Sequence, residues 1–286
     1  MNIVLIQAII SGVLLGLMYA LASLGLTIIW GIIEVVNFAQ ADFLMLGMFT
    51  AYWLNYLLGL DPLLTLPIAF CATFLVGIII QHFCINRVLD APMLTQVGVT
   101  FAFLLIIRHL ALVLWGPDSR SVTTWYSSES FRVGSVLINY PMLFSSVLAV
   151  IATILLTLFL KYTDVGIALR AVSQDRTAAQ LCGVNVKKMY TLAFALGVGI
   201  TGLTGGLFST MLYITPEVGA VFGLLMFTIV VLGGFRSMLG TFVGGLIVGI
   251  VESISALYLT PGMKDVPVFI LFLIILIIKP SGLFGE

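Results

Sequence analysis

Nine apolar stretches, at 5–30, 38–58, 63–86, 94–115, 137–160, 188–213, 219–235, 240–258 and 264–279, follow one another through 286 residues and leave little chain over. A helix needs about 20 residues to cross the hydrocarbon of a bilayer. Inside that layer the backbone amides must find partners within the protein. The expected fold class is therefore all-α: a polytopic transmembrane helical bundle of eight or nine membrane segments, forming a single domain over 1–286. Two windows are marginal. The stretch 219–235 is short and glycine-flanked, and the uncharged core of 264–279 is about 13 residues, or ~20 Å at the helical rise. Either reads as a broken or re-entrant segment, which makes the count eight.

Hydrophobic residues make up 61% of the chain and charged residues 8%, with a mean hydropathy of +1.23. A soluble domain has about 45–50% and about 25%. The formal net charge is zero, so nothing points to nucleic acid, and membrane lipid is the implied surrounding. Cys71 and Cys84 share one apolar span and Cys182 lies in a polar stretch, a usage that implies no disulfide framework. No Lys or Arg precedes Arg87, so the positive region of a cleavable signal peptide is missing and Met1 to Trp30 is expected to be a retained span.

Orientation follows from the cations. Between Lys161 and Lys188 lie five of them (Lys161, Arg170, Arg176, Lys187, Lys188) against Asp164 and Asp175, which assigns this stretch to the cytoplasmic side. Counting crossings from there puts Arg87 inside, 116–136 outside and the N-terminus outside; if all nine windows cross, the C-terminus is inside beside Lys279. Arg236 also falls inside, and the external loop is balanced, with Arg120 and Arg132 against Asp118 and Glu129.

Within 164–188, Asp164 is expected to cap a helical run from Val165 to about Val172. Ser173 or Asp175 should cap a second, short helix that Gly183 closes. Ala178, Ala179, Leu181 and Cys182 supply a low apolar side to that second helix, with Asp175, Arg176 and Gln180 opposite. The pattern reads as a docking element, or as a solvated loop whose cations only set topology.

Glu34-Val35-Val36-Asn37-Phe38-Ala39-Gln40-Ala41-Asp42 places four polar residues in nine between apolar runs. At 100° per residue Glu34, Asn37 and Gln40 share an arc while Asp42 opposes them, which argues against a continuous lipid-facing helix. A helix break fits, with Asn37 and Gln40 spaced as a capping box; the alternative is an interfacial turn at the inner membrane edge. Arg108 and His109 lie within 94–115, where a guanidinium needs a partner, an aqueous cavity or a snorkelling route. Glu252, in 240–258, is the expected partner. His82 is expected at an interface. Asn37, Gln40, Asp42, Arg108 and Glu252 are thus the candidates for a translocation path.

No metal-ligand spacing, phosphate loop or nucleophile–base constellation is apparent, so no catalytic residue, metal or cofactor is assigned and an intramembrane enzyme is disfavoured. Glycines stud three spans: Gly197, Gly199, Gly202, Gly205 and Gly206 in one, and Gly233, Gly234, Gly240, Gly244, Gly245 and Gly249 across the next two. They suit close helix packing, helix breaks around a path, or both. Gly12 and Gly16 mark the first span, which runs opposite to 188–213 in this topology, as an inverted repeat would.

Taken together, several short motifs resemble one family. Ala178-Ala179-x3-Gly183 is similar to the E-A-A-x3-G core that permeases of ATP-binding-cassette (ABC) importers present to their ATPase, with Thr177 in place of the Glu. Gly16-Leu17, Tyr19-Ala20-Leu21, Gly25-Leu26-Thr27, Asn37-Phe38-Ala39, Arg170-Ala171, Asp175, Leu181 and Gly183-Val184-Asn185 belong to the same likeness. So do Val231-Leu232-Gly233-Gly234, Ser237, Gly244-Gly245, Glu252, Lys264-Asp265-Val266 and Pro280-Ser281-Gly282-Leu283-Phe284-Gly285. From Gln7 to Gly285 the chain resembles the LivH-type permease of branched-chain amino acid ABC importers. That resemblance implies a bacterial or archaeal inner-membrane subunit that pairs with a second, similar permease, two cytoplasmic ATP-binding subunits and a periplasmic or extracellular solute-binding protein. It also implies an ATPase-coupling role for 164–188, with Arg170, Asp175, Ala178, Ala179, Leu181 and Gly183 carrying it.

Two departures fall where a substrate path could lie. The family's run after Asn-Phe-Ala is His-Gly-Glu, against Gln40-Ala41-Asp42 here, and Arg108-His109 replaces polar positions in the fourth span. They leave the cargo open among leucine, isoleucine and valine, another amino acid, or a small amide such as urea. The leading expectation is passage of an amino acid driven by ATP hydrolysed on a partner; a secondary transporter or channel for a small polar solute is the alternative.

Overall fold

The structure, a computed structural model, describes residues 2–133 and 136–285. Met1, where the first span was expected to begin, lies outside them, as do Gly134 and Ser135 of the stretch 116–136 expected to be external. The described chain is nearly all helix: α1 (Asn2–Ile33), α2 (Gln40–Leu58), α3 (Leu66–Val88, with a π turn at Gln81–Ile85), α4 (Met93–Trp115), α5 (Tyr140–Tyr162), α6 (Asp164–Gln174), α7 (Arg176–Leu181), α8 (Val186–Phe208), α9 (Val218–Gly233), α10 (Met238–Tyr258) and α11 (Val266–Ile278). Seven helical stretches among the described residues are long and apolar enough to cross a membrane. The two left over from the nine windows are α2, whose Gln40, Asp42 and Asn55 lower its hydropathy, and the short α9.

α8 is the axis of the bundle. Its most apolar window is 78% buried, against 6% for Pro261–Ile278, which lies at the periphery. α1 crosses it antiparallel, since Gly25 meets Gly197 while Ala22 accepts from the Thr201 hydroxyl. α2 runs parallel to it, from Gln40 beside Gly197 to Met48 beside Gly205. α1 also packs antiparallel on α10. A Cβ on Gly16 would stand 2.8 Å from the Gly245 carbonyl oxygen, and one on Gly245 2.7 Å from the Ala20 backbone. The glycines therefore do what close packing in lipid requires: they let backbones touch where a larger residue would hold them apart. Met18, Leu21, Phe43, Met48, Phe194 and Phe208 fill the core between these helices.

The connection between α4 and α5 carries a small antiparallel hairpin, Ser130–Val133 with Val136–Asn139, Ser130 standing opposite Asn139. Arg120 ties this loop to the bundle. Its backbone pairs with Ile214, its guanidinium lies over the Tyr52 and Trp53 rings at 5.2 and 5.0 Å, and Nη2 donates to the Trp115 carbonyl. Nearby the Tyr126 hydroxyl donates to Asp61 at 2.9 Å; burial and that acceptor push the phenol well above its ordinary range.

Candidate functional site

α1 continues for eight residues beyond Gly25, or ~12 Å, before it ends at Ile33. Glu34 follows with φ +62°, the only positive φ at a described non-glycine residue, and its carboxylate pairs with Arg236. The chain then climbs back through 35–39, so that α2 starts beside Gly25, inside the bundle. This is the break expected between Glu34 and Asp42. The interfacial turn is not what forms, because Asn37, Gln40 and Asp42 are all buried.

Polar contacts hold the break. Gln40 Nε2 donates to the Gly197 carbonyl at 3.1 Å and to Thr201 Oγ1 at 2.6 Å, and Gln40 Oε1 accepts from Asn37 Nδ2 at 2.8 Å. Asn37 Oδ1 in turn accepts from the Ala39 amide at 3.2 Å. The spacing of Asn37 and Gln40 thus makes a mutual side-chain bond rather than a capping box, and the N-cap residue of α2 is Ala39, which has no side chain to cap with.

α8 has a matching interruption over 209–217, after which α9 starts next to Asp42. A Cβ on Gly219 would lie 2.6 Å from Asp42 Oδ1, so only glycine admits the carboxylate there. α9 then runs to Gly233, which meets Gly240 at the start of α10, beside the Glu34–Arg236 pair. The units α1–α2 and α8–α9 therefore each consist of a long helix, an interruption and a helix that begins within the bundle. They run in opposite directions, and α2 and α9 meet head to head at Asp42.

Arg108 reaches this junction from α4. Its Nε and Nη2 donate to Asp42 Oδ1 at 3.2 and 3.1 Å; the Arg108 side chain is 21% exposed and that of Asp42 1%. Asp42 Oδ2 is buried without a hydrogen-bond partner among the described residues. The expected Arg108–Glu252 pair does not form. Glu252 Oε1 instead accepts from Lys264 Nζ at 2.5 Å, in a separate cavity with Tyr19, Phe222 and Asp265. Lys264 was legible only as part of a family motif, not as an ion partner. His109, beside Arg108, is exposed and donates from Nδ1 to the Leu105 carbonyl at 2.8 Å.

A cavity of about 480 Å³ opens at the junction. Its polar side is formed by Asn37, Gln40, Arg108 and the first turns of α2 and α9; Phe38, Phe101, Leu104, Leu105, Leu224 and Phe227 form the apolar side. Asn37 and Gln40 bond within the break, and Arg108, which lines the cavity, is paired with Asp42.

At the other end of the molecule, the 164–188 stretch folds as the two short helices expected, and one of the expected caps differs. Thr163 caps α6 by accepting from the Gly166 amide, in place of Asp164, which lies inside the helix. Asp175 caps α7 through Oδ1, accepting from the Thr177 and Ala178 amides at 2.8 and 3.0 Å. Gly183 closes it at φ +86° with open space around it. The apolar side of α7 is divided. Ala179 is buried against Val172 and Val186 of this same chain, whereas Ala178 and Leu181 face outward, Leu181 being 86% exposed. Arg170 donates from Nη2 to the Lys161 carbonyl, bracing α6 against the end of α5.

The family described as "Branched-chain amino acid transport system / permease component" matches residues 8–278. Among characterised relatives, the high-affinity branched-chain amino acid transport system permease protein LivH of Salmonella typhimurium is 31% identical, over 98% of this chain and 96% of its own length. LivH of Escherichia coli K12 and BraD of Pseudomonas aeruginosa, which carry the same description, are each 28% identical over the same shares. No solved structure is significantly similar to this fold.

Proposed function

This chain belongs to the branched-chain amino acid transport permease family, and from that membership we propose how it works within an importer. It is a multi-pass membrane protein and the transmembrane permease subunit of an ABC importer for branched-chain or other amino acids. ATP-binding and solute-binding partners come with that class. In our reading there are two cytoplasmic ATP-binding subunits, a second homologous permease and a periplasmic or extracellular binding protein, and hydrolysis takes place on the ATP-binding subunits. The N-terminus is external and the C-terminus cytoplasmic, supported by the cations at Arg87, Lys161, Arg170, Arg236 and Lys279.

The observation that carries this reading is the likeness over nearly the whole chain, combined with a folded, capped α6–α7 unit that exposes Leu181. A leucine side chain left in water at the tip of a short helix supports docking into a partner groove. The cavity between α2, α4 and α9 is the substrate path in this scheme. Its Arg108 faces outward at membrane depth, where bare lipid is a costly surrounding for a guanidinium. A second permease laid over this face would exclude lipid and complete the path.

The test is to purify the full-length tagged chain after expression with its chromosomal neighbours and to assay leucine uptake in vesicles. Retention of ATPase subunits and uptake that depends on ATP are expected. Uptake that proceeds with no ATPase attached would favour the secondary-transporter reading instead.

A further inference from the structure

We propose that Glu34 and Arg236 are positioning residues for transport: their ion pair is a clasp that holds the two walls of the α2–α9 cavity together at the α6–α7 end and opens when that unit is moved. The inference rests on the permease reading and deepens it, by assigning the contact through which α6–α7 acts on the path.

The place of the pair carries the argument. Glu34 stands where the chain turns back after α1, and the limb that follows brings Val36, Asn37 and Phe38 to the cavity wall. Arg236 lies in the elbow between α9 and α10, and α9 supplies the facing wall through Gly219, Gly223 and Leu224. The pair therefore joins the feet of both walls. One turn before Glu34, the Trp30 ring packs on Phe235 at 4.8 Å, and the Glu34 amide donates to the Trp30 carbonyl at 3.0 Å, so a second contact ties the same two segments. The tail braces the elbow from behind, where the Leu283 and Phe284 amides donate to the Leu232 and Gly233 carbonyls at 2.8 and 3.1 Å. That anchors the elbow, and the moving partner is the limb at 34–39.

This contact differs from an ordinary surface pair. Glu34 holds φ +62°, a left-handed conformation that glycine adopts without strain, so the carboxylate is kept here against a backbone penalty. Outliers of that kind cluster at switch regions. The pair also faces the α6–α7 junction across a polar cavity of about 420 Å³, which Ser173, Gln174, Asp175 and Arg176 line together with Glu34 and Arg236. A displacement of α6–α7 reaches the pair through that shared space. The side chains are 62% and 63% exposed, and an exposed pair is weak, as a contact broken in every cycle must be.

The experiment uses the full-length chain with its copurifying subunits in inside-out membrane vesicles, which in the proposed orientation present the α6–α7 face to the medium. Cys71, Cys84 and Cys182 are replaced by Ser, and Val36→Cys places one thiol two residues beyond Glu34. Its labelling by an anionic, membrane-impermeant methanethiosulfonate is followed. Glu34→Gln, Arg236→Gln and the two together should each speed labelling by about two- to fivefold, the range that an exposed pair commands. Glu34→Arg combined with Arg236→Glu should return the rate to that of the parent. Leucine taken up per ATP hydrolysed should fall in the three neutralised variants and recover in the exchange, because an unclasped wall lets hydrolysis run without moving solute.

Rates that shift in opposite directions, faster in Glu34→Gln and slower in Arg236→Gln, would overturn the proposal, since that is what the local field alone does to an anionic reagent. So would unchanged rates, a charge exchange that labels as fast as the doubly neutralised variant, or an undiminished yield of uptake per ATP. Arg236→Gln reads the pair without touching the backbone at position 34, so the test stands even where the Glu34 variants fail to fold. Loss of the ATPases on purification would count against the importer reading and leave the labelling comparison untouched.

Discussion

Glu252 has one oxygen on the Lys264 ammonium and, among the described residues, the other buried without a hydrogen-bond partner, so Lys264 is the cation that balances its charge. Removing the half-exposed Lys264 strands the buried Glu252 carboxylate, which is costly, whereas removing both charges is far milder. Lys264→Met should therefore lower the thermal stability of the purified chain sharply, and adding Glu252→Gln should recover most of the loss. Equal stability of the single and double variants would show that the stranded charge is not the cause. Glycine offers a second test at this scale. Gly16→Val places a side chain into the Gly245 backbone and should prevent accumulation in the membrane, while Gly31→Val, with nothing within 4 Å of its Cβ, should accumulate normally. Immunoblots of membrane fractions distinguish them. Such contrasts are invisible in a list of glycines, because the distance to the facing helix, not the residue type, decides which of them matters.

Among the elements, α7 separates roles that its sequence had merged. Ala178, Ala179 and Leu181 look alike as an apolar side, but helical rotation turns Ala179 onto Val172 and Val186 of this chain and leaves Leu181 in water. Leu181→Asp should keep the fold, because the side chain is exposed, and on the proposed docking should lose the ATPase subunits on pull-down. Ala179→Trp should instead unseat α7 itself, seen as rapid proteolysis within 164–188 even in the isolated chain. Retention of the ATPases by Leu181→Asp would argue that 164–188 is a topology loop. Gly183 sits in open space, so Gly183→Val strains only the backbone, by about 1–2 kcal/mol. Hydrogen exchange should show a frayed end of α7 there, and Gly183→Asn should largely restore protection, since Asn tolerates the left-handed region.

For the molecule as a whole, the opposed directions of α1 and α8 and the cation placement make one orientation testable. A single cysteine at Trp125, an exposed residue of the 116–136 stretch, should label from outside intact cells. One at Ser173 should label only after the membrane is opened. The reverse pattern would invert the topology and with it the assignment of 164–188 to the ATPase side. All nine windows fall on helices, with ends displaced by a few residues, and seven of the helical stretches are long and apolar enough to cross a membrane. Crossing a bilayer is a sum over about 20 consecutive residues, and a sum of that kind needs no knowledge of neighbours. The break before α2 was legible for the same reason, since four polar residues in nine cannot all face lipid. What tertiary structure alone decided was which charge meets which. Arg108 had two carboxylates within reach of a plausible bundle, and the pairing with Asp42 rather than Glu252 depends on α2 and α9 meeting head to head beside α4. Helical periodicity states which face of a helix a residue occupies; only the packed backbones, brought together at their glycines, determine what that face confronts.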